Sequence, residues 1–543
     1  MTINTDILTK GTYFMTPTWL SLLPPLIVVI TAFITKKLNP SLLLGIISAA
    51  IIATDGSLGN SLLLIQKRFS NHLHDLDAIY LYIFLLTIGT LIALLNYTGG
   101  AIAFAQSFTA KVKRKKTVES SSILLSYILG IDDYLSILTN GYVMSPVFDH
   151  LKLTRLKLAF LIHSMAGAFV ILVPISSWVA AITVYLDQSG IGLDQHAQDI
   201  KIAADPFFIY LHTLPFIFYS LLLMAAVWLI VQARLSYGPM YKYEHGTYHE
   251  PIATRQTTPV LTTPRGTSAD LLVPLFTLLA CVFIGLPYAG GHYIFGGTRT
   301  LIEAFQHNDY TFLVMCISGT IALLVGLTFT LLKSTVHLHE LPHIFKNGFN
   351  LMRSAILMVI LASVLGVLLR ADLFTGQYLA SLLMNTLSIT MLPVTFFLVS
   401  LICAIFTGSA WGTFALMLSI AIPMLTSLLQ LATPVTPDLM PILFPTIGAI
   451  FSGGVCGDHI SPISETTVMT ASSTGTNPID HAYTQFPYAL PVIIGTIIAF
   501  IASGNLIHIP LWMNALISSL VGIIVCFSLL SIFNVYWHTN KKD

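Results

Sequence analysis

The sequence predicts an all-α polytopic membrane protein of about eleven spans, with two inverted halves, re-entrant hairpins and discontinuous helices. Three observations support this fold class. Hydrophobic residues make up 55% of the 543-residue chain and charged residues only 9%, whereas charged residues are about 25% of an ordinary soluble domain. Apolar runs long enough to cross a bilayer recur along the chain. Two further apolar stretches, 118–147 and 389–430, are interrupted in the middle.

The uninterrupted apolar runs are predicted as transmembrane spans. They lie near 17–36, 39–54, 78–98, 157–187, 206–232, 269–288, 310–333, 353–372, 440–472, 487–504 and 511–533. The two interrupted stretches are predicted as re-entrant hairpins, because non-helical backbone at membrane depth persists only where protein or a water-filled cavity satisfies it. Gly130 interrupts the first stretch and Gly408 the second.

Lysine and arginine orient the spans, since cytoplasmic loops of membrane proteins carry an excess of both. The strongest basic cluster is KVKRKK at 111–116, and Lys541 and Lys542 lie in the C-terminal tail. The loops 188–205 and 431–438, which fall on the other side, are acidic or uncharged overall. We therefore expect the C-terminus to lie in the cytoplasm.

The chain divides into two halves around a polar segment that is rich in threonine, proline and tyrosine. That segment is expected to be a poorly ordered cytoplasmic linker. The predicted domains are a first transmembrane repeat (1–232), the linker (233–268), a second, inverted repeat (269–505) and an extra span with a tail (506–543). Weak matches occur in the same order in both halves, such as VPISSW at 173–178 with SPISET at 461–466. Inverted repeats with broken helices in corresponding places indicate a secondary transporter.

Four polar motifs inside the apolar stretches form the candidate site. They are GIDDYLSILTNG (130–141), VPISSWVAA (173–181), TGSAWGTF (407–414) and GDHISPISETT (457–467). A charged side chain at the centre of a lipid-facing helix costs about 2.5–3.5 kcal/mol on insertion scales, so such acids are expected to face a cavity or an ion path. The candidate ion- or substrate-binding residues are Asp132, Asp133, Ser176, Ser177, Thr407, Ser409, Trp411, Asp458, His459, Ser461, Ser464, Glu465 and Thr466.

These residue types suit a small hard cation such as Na⁺. The ion needs several oxygen ligands, which carboxylates, hydroxyls and the free carbonyls of broken helices supply. The predicted Na⁺ ligands are Asp132, Asp133, Asp458 and Glu465. The predicted helix breaks are Gly130, Pro174, Gly408, Gly457 and Pro462. A buried carboxylate holds either a proton or a cation, and this competition would couple the two ions.

The same carboxylates also have structural interpretations. Asp132 and Asp133, and separately Asp458, could cap half-helices, because acids favour helix N-termini. Glu465 follows Ser461 by four residues and could simply pair with it near a helix start.

The neighbouring polar residues have structural interpretations as well. Ser176 and Ser177 could be hydrogen-bond partners between helices, as serines in membrane proteins commonly are. His459 could be a satisfied polar core residue. His163, which lies in an apolar helix, is interpreted as structural.

Other functional classes find little support. A phosphate-binding GxxxxGK[ST] loop does not occur in the sequence, and the net charge of +1 gives no indication of nucleic-acid binding. The five cysteines form no CxxC pair. His339 and His343 match the HExxH pattern of zinc proteases, but Pro342 between them disfavours the helix which that motif needs. No cofactor and no enzymatic activity are therefore expected.

At the four motifs the chain resembles the NhaC family of sodium/proton antiporters, within the ion-transporter superfamily. The resemblance covers most of the chain, and the motifs occur in the family's order. It implies an inverted-repeat fold with hairpins and broken helices, and exchange of transported Na⁺ and H⁺ across the inner membrane of a bacterium. It gives functional weight to Asp132, Asp133, Ser176, Ser177, Thr407, Trp411, Asp458, His459, Ser461 and Glu465.

The chain departs from the family pattern at several positions. Glu465 stands where the family usually has Asp, and Ile460 where Cys is common; Ser136 and Ala410 replace the commoner Asn and Ser. The family also includes exchangers of organic acids and amino acids. The alternative function is therefore Na⁺- or H⁺-coupled transport of a small organic acid or amino acid. The expected partners are the lipid bilayer, a small cation or small-molecule substrate, and a second copy of the chain in a homodimer.

Overall fold

The computed structural model describes residues 18–35, 37–109, 114–174, 176–193, 200–245, 265–306, 308, 310–383 and 386–539. The helices within these ranges are α1 Leu23–Thr35, α2 Leu38–Ala53, α3 Leu58–Leu73, α4 Leu76–Thr98, α5 Gly100–Thr109, α6 Lys115–Ile128, α7 Asp133–His150, α8 Arg155–Val170, α9 Ser177–Gln188, α10 Pro206–Thr213, α11 Phe218–Ala233, α12 Gly238–Glu244, α13 Ser268–Ala289, α14 Leu301–Gln306, α15 Thr311–Leu332, α16 Leu341–Val367, α17 Thr375–Leu383, α18 Leu392–Thr407, α19 Ala410–Leu428, α20 Leu443–Ile460, α21 Glu465–Thr474, α22 Pro478–Asn505 and α23 Leu511–Thr539. Two short parallel strands, β1 Ile191–Gly192 and β2 Ile202–Ala203, form one ladder.

The described residues contain eight helices that are long and apolar enough to cross a membrane, or nine if the bent pair α10–α11 is one span. This count is lower than the predicted eleven. Helices α1 and α2 contain only 13 and 16 residues, fewer than the roughly 20 that a straight span needs. The predicted spans 157–187 and 440–472 are each divided into two helices, α8 with α9 and α20 with α21.

Contacts between helix termini define two ends of the helix bundle. At the linker end, where α12 lies, the Arg155 guanidinium at the start of α8 donates to the Thr474 carbonyl at the end of α21. At the far end, the Thr311 hydroxyl at the start of α15 donates to Asp205, which caps α10. Because α8 begins and α21 ends at the linker end, these two helices run in opposite directions.

Two helical hairpins enter the bundle from opposite ends. Helix α6 begins at the linker end, where Lys116 donates to the Gln232 carbonyl, and α7 returns there after a turn at 129–132. Helix α18 begins at the far end, and α19 returns there, where the segment after it pairs through Val435 with Ala203. The second hairpin turns at Gly408, whose φ of 65° is left-handed, a conformation that glycine adopts without steric cost. The two interrupted stretches thus form helical hairpins in the structure, although α18 and α19 are each long and apolar enough to cross a membrane.

The two broken helices are interrupted at corresponding places. Residues 171–176 separate α8 from α9 and contain Pro174, and residues 461–464 separate α20 from α21 and contain Pro462. Proline removes a backbone donor and clashes with the preceding turn, which explains both interruptions. Gly457, predicted as a helix break, instead lies inside α20. Its α-carbon faces α18: an added Cβ would approach the Leu401 carbonyl to 2.6 Å, so this glycine serves close helix packing.

Part of the predicted linker is folded. Residues 238–244 form α12, and an ion pair of 3.1 Å between the buried Lys157 in α8 and the partly exposed Glu244 attaches α12 to the bundle. The ammonium nitrogen of Lys157 lies 6.0 Å from the ring centroid of Phe160 and 5.5 Å from that of Tyr488. The expectation of a poorly ordered linker was therefore wrong for residues 238–244, which form a seven-residue helix whose Glu244 pairs with the buried Lys157. Residues 246–264 of the linker lie outside the described ranges.

Candidate functional site

A buried carboxylate joins the tip of the first hairpin to the break in the first broken helix. Asp132 caps α7: one carboxylate oxygen accepts the backbone N–H of Leu135 at 3.0 Å, and the other accepts the Ser177 hydroxyl at 2.7 Å. Ser177 begins α9, and its own N–H donates to the Ile131 carbonyl at 3.2 Å. The capping interpretation of Asp132 is thus correct, but the cap also carries the hydroxyl contact that an ion site would use.

The neighbouring carboxylate of Asp133 is also buried but incompletely paired. The indole Nε1 of Trp178 lies near Asp133, yet neither Nε1 nor Asp133 Oδ2 has a hydrogen-bond partner among the described residues. Asp133 also experiences the charges of Asp132, Asp458 and Glu465. A buried carboxylate oxygen without a partner calls for a proton, a cation or a water molecule.

A second carboxylate centre occupies the break in the other broken helix. Asp458 Oδ1 accepts the Ser464 hydroxyl at 2.7 Å, and Oδ2 accepts the Thr466 hydroxyl at 2.6 Å. Ser464 is the N-cap of α21, and its oxygen accepts the Thr466 backbone N–H at 3.2 Å. Asp458 is 7% exposed, and both hydroxyl residues are buried. The break between α20 and α21 therefore presents a carboxylate and two hydroxyl oxygens at one point.

Two tryptophans bring the first broken helix into contact with the second hairpin, Trp178 in α9 and Trp411 in α19. The rings of Trp178 and Trp411 are 5.5 Å apart between centroids, and Phe414 lies 5.9 Å from Trp178. The turn at Gly408 contacts the second break directly, since a Cβ added there would lie 3.1 Å from the Ile463 carbonyl. The hairpin tips and the helix breaks thus meet in one region.

His459 belongs to a buried hydrogen-bond cluster beside Asp458. Its Nε2 lies 3.0 Å from the Ser164 hydroxyl, and its Nδ1 lies 2.8 Å from the Tyr219 hydroxyl. The Gln485 amide donates to the His459 carbonyl. Both imidazole nitrogens are therefore engaged, as the interpretation of a satisfied core histidine requires. A small cavity beside the cluster is lined by Asp458, His459, Thr466 and residues of α8.

Four other predicted residues make local contacts in the structure. Ser176 caps α9 and donates to the Val170 carbonyl at 2.8 Å. Ser409 caps α19, and the Thr407 hydroxyl donates to the Ser409 carbonyl at 3.3 Å. The Ser461 hydroxyl donates to the Ile405 carbonyl at 3.0 Å, which ties the second break to α18. Ser176 and Ser461 thus shape the two breaks, and Thr407 and Ser409 shape the turn of the second hairpin.

Glu465 is placed differently from the three aspartates. It begins α21, and its side chain is exposed in the protein. It interacts with Tyr134 and with the charges of Asp133 and Asp458, but the hydrogen bonds that the Asp458 carboxylate accepts come from Ser464 and Thr466. A negative charge in the first turn of a helix is favourable in itself. Glu465 therefore borders the region where Asp132, Asp133 and Asp458 are buried.

Sequence reasoning missed several members of the cluster around Asp458. Ser164 and Tyr219 contact His459 from α8 and α11, and His481 and Gln485 contact His163 from α22. The sequence does show isolated polar residues within otherwise apolar helices, and these could have been noted as candidates. Only the packing of the helices in the structure shows that their side chains meet. His163, interpreted as structural, lies 3.0 Å from Thr466 and so adjoins the Asp458 centre.

Comparison with known proteins identifies similar sequences and folds. The model of the Na⁺/H⁺ antiporter family matches residues 169–505. An uncharacterized protein of Haemophilus influenzae is 28% identical over 500 residues, which cover 90% of this chain and 92% of that protein.

Two solved structures share the fold. The YdaH transporter of Alcanivorax borkumensis matches with a TM-score of 0.53 and 16% identity, over 84% of this chain and 90% of that one. MtrF of Neisseria gonorrhoeae, described among antimetabolite efflux pumps, matches with a TM-score of 0.51 and 14% identity, over 89% of this chain and 85% of that one. At these identities the likeness concerns the fold alone.

Proposed function

Because the chain belongs to the Na⁺/H⁺ antiporter family, we propose that it is a Na⁺/H⁺ antiporter that exchanges sodium for protons at its intramembrane carboxylates. The observation that carries this proposal is the Asp458 centre. Asp458 is buried, and each of its oxygens accepts one hydroxyl hydrogen bond. None of the ion pairs found within the described residues involves Asp458.

A buried carboxylate without a basic partner requires another source of positive charge. Removing an ion from water costs several kcal/mol even after the protein relaxes. A proton neutralises the carboxylate, and Na⁺ compensates its charge while taking oxygen ligands from Asp458, Ser464 and Thr466. The two ions exclude each other at one site, so release of one accompanies binding of the other.

The first carboxylate centre supports the same chemistry. Asp132 accepts the Ser177 hydroxyl, and the neighbouring Asp133 has a buried oxygen with no partner among the described residues. We include Asp132 and Asp133 in the ion path, and Glu465 at its border, where its exposed charge attracts cations.

We further propose that the protein lies in the bacterial cytoplasmic membrane with the linker end facing the cytoplasm. The basic residues Lys115, Lys152 and Arg234 line a cavity at that end together with the Lys157–Glu244 pair. Cytoplasmic loops are enriched in lysine and arginine. The C-terminal helix α23 ends at the linker end, beside Tyr241 of α12, through Trp537 and His538.

The proposal is tested with purified full-length protein in liposomes that enclose a pH-sensitive dye. A pulse of Na⁺ is expected to drive proton movement in the opposite direction, and an imposed pH gradient is expected to drive ²²Na⁺ uptake. Pulses of Li⁺ and K⁺ define the selectivity, and protein-free liposomes provide the control. Folded protein that moves no proton with any of the three cations would overturn the proposal.

The second candidate is coupled transport of a small organic acid or amino acid. It is favoured by the aromatic pair Trp178 and Trp411 beside the unpartnered Asp133 oxygen, since small-molecule sites combine apolar walls with a few polar groups. MtrF, which shares the fold, is described among antimetabolite efflux pumps. Uptake of radiolabelled organic acids or amino acids in the same liposomes, dependent on Na⁺ or pH, would support this candidate.

A further inference from the structure

Three buried histidines from three helices lie against one another beside the Asp458 centre. They are His163 of α8, His459 of α20 and His481 of α22, each at most 3% exposed. The His163 ring lies 5.0 Å from that of His459 and 5.1 Å from that of His481. We call these residues, together with Gln485, the histidine cluster.

The histidine cluster reaches Asp458 through Thr466. His163 Nε2 lies 3.0 Å from the Thr466 hydroxyl oxygen, and that hydroxyl lies 2.6 Å from Asp458 Oδ2. On the other side of the same ring, His163 Nδ1 lies 3.0 Å from His481 Nε2 and 3.3 Å from the Gln485 amide nitrogen. A continuous chain of hydrogen bonds therefore runs from α22 through α8 to the carboxylate in α20.

Counting the available protons shows which group donates at each step of this hydrogen-bond chain. A threonine hydroxyl has one proton. Beside an ionised Asp458, Thr466 donates it to Oδ2 and not to the Ser464 hydroxyl 2.7 Å away, which gives its own proton to Oδ1. At the contact with His163, Thr466 can then only accept, so the imidazole must carry its proton on Nε2. The lone pair of His163 then lies on Nδ1, where the His481 Nε2 and the Gln485 amide converge as donors. A histidine tautomer is set by the partner of its other nitrogen.

We propose that His163 is a positioning residue for the ion site, and that its Nε2–H holds the Thr466 hydroxyl in the orientation that donates to Asp458. This inference rests on the proposed exchange of Na⁺ and H⁺ at that site. With Nε2–H facing Thr466, the hydroxyl proton cannot turn away to the histidine. The ionised Asp458 carboxylate, which is the form that binds Na⁺, then keeps the Thr466 hydroxyl as a donor beside that of Ser464. This stabilises the ionised form, so Na⁺ competes better against the proton for Asp458.

The arrangement also explains why the cluster needs more than one helix. His163 alone could present either nitrogen to Thr466. Helix α22 supplies donors to Nδ1, and Gln485 is itself fixed because its amide also donates to the His459 carbonyl. Ser164 and Tyr219 hold the His459 ring through both of its nitrogens. The orientation of one hydroxyl beside Asp458 is thus determined by residues on four helices.

The first test compares substitutions at His163 in the liposome flux assay. His163→Leu removes the donor and is expected to raise the Na⁺ concentration for half-maximal flux about three- to tenfold, with a maximal rate changed less than about twofold. His163→Gln keeps an N–H donor of similar reach and is expected to restore the wild-type value. The exposed His343, changed to Leu, is the matched control. An unchanged half-maximal concentration in His163→Leu, or equal impairment by Leu and Gln, would overturn the proposal.

A double substitution tests whether His163 acts through Thr466. Thr466→Val keeps the shape of the side chain and removes the hydroxyl. If the histidine acts through that hydroxyl, His163→Leu added to Thr466→Val is expected to cause no further rise in the half-maximal Na⁺ concentration. If the two substitutions instead raise the half-maximal Na⁺ concentration by independent factors that multiply in the double variant, the proposed action of His163 through Thr466 is contradicted. If His163→Leu fails to fold, the tautomer of His163 in the wild-type protein still decides whether it orients Thr466.

The tautomer can be read without any transport measurement. Solid-state NMR of the full chain, labelled with ¹⁵N-histidine in liposomes, should show His163 as the neutral Nε2–H form, assigned by its loss in His163→Gln. An Nδ1–H form would overturn the inference. Wild-type protein that moves no Na⁺ would instead overturn the proposed function, and the tautomer would still decide whether His163 orients Thr466.

Discussion

The two carboxylate centres use the same local chemistry. Asp132 and Asp458 each accept a serine hydroxyl at 2.7 Å, from Ser177 and from Ser464, and each serine stands where a helix resumes after a break. A serine at such a position is held by the helix start and can direct its hydroxyl at a neighbouring carboxylate, whether from a hairpin turn (Asp132) or from the helix before the break (Asp458). The sequence motifs predicted these residue types, but not which of two adjacent serines contacts the acid.

The neighbouring serines Ser176 and Ser177 should therefore respond differently to alanine. Ser177→Ala removes a hydroxyl donor from Asp132 and is expected to reduce Na⁺-driven proton flux severalfold. Ser176→Ala removes the N-cap of α9 and is expected to lower the free energy of unfolding by about 1 kcal/mol while flux per folded molecule stays near wild type. Flux and thermal unfolding of both variants are measured in parallel; the reverse pattern would show that Ser176 is the ion-site residue.

At the scale of elements, the hairpins and breaks were predictable and their contacts were not. Glycine and proline residues indicated the interruptions from the sequence. Four of them lie at interruptions in the structure, namely Gly130, Pro174, Gly408 and Pro462. Gly457 looked the same but lies inside α20, because a glycine can serve helix packing as well as a turn. Sequence pattern does not distinguish these two uses, since the difference depends on a neighbouring helix.

The turn at Gly408 offers a test of how tightly the second hairpin meets the second break. In Gly408→Ala the left-handed backbone costs about 1–2 kcal/mol, and the new Cβ would press on the Ile463 carbonyl at 3.1 Å. We expect a lower unfolding temperature and reduced flux. Gly59→Ala, at a helical glycine with open space around it, is expected to leave both unchanged or to stabilise slightly. A Gly408→Ala protein as stable and active as wild type would contradict this contact.

Helix α12 shows how a polar linker can contain an ordered element. Its Glu244 pairs with Lys157, whose side chain is only 3% exposed. Glu244→Gln would leave that lysine buried without its partner and is expected to lower the free energy of unfolding by about 3 kcal/mol. Asp149→Asn breaks the largely exposed pair with Arg155 and is expected to cost at most about 1 kcal/mol. Thermal unfolding in detergent compares the two, and equal effects would contradict the role assigned to Lys157.

For the whole molecule, composition predicted the class well and the number of spans poorly. An all-helical membrane protein follows from 55% hydrophobic and 9% charged residues. The predicted eleven spans are not confirmed, since the described residues contain eight or nine helices long and apolar enough to cross a membrane. Hydropathy measures apolar length and does not separate α8 from α9 where the segment between them is also apolar. The histidine cluster was missed for a related reason, since its members are more than three hundred residues apart between α8 and α22.

The proposed orientation predicts the location of the C-terminus. Green fluorescent protein fused after residue 543 is expected to fluoresce, and alkaline phosphatase fused there is expected to be inactive, because both report a cytoplasmic position. A phosphatase inserted in the far-end loop after Asp438, which is exposed, should be active. Active phosphatase at the C-terminus would show the opposite orientation, and would contradict the placement of the linker end in the cytoplasm by its basic residues.

The most direct test of the central claim, that Na⁺ and H⁺ exchange at Asp458, is the Na⁺-pulse assay on Asp458→Asn. The amide keeps the size of the side chain but can neither release a proton nor supply a full negative charge. Asp438→Asn, at an exposed carboxylate in the far-end loop, is the matched control. We predict Na⁺-dependent proton flux in the wild type and in Asp438→Asn, and flux at the protein-free background in folded Asp458→Asn. Undiminished Na⁺-dependent proton flux in Asp458→Asn would contradict the claim.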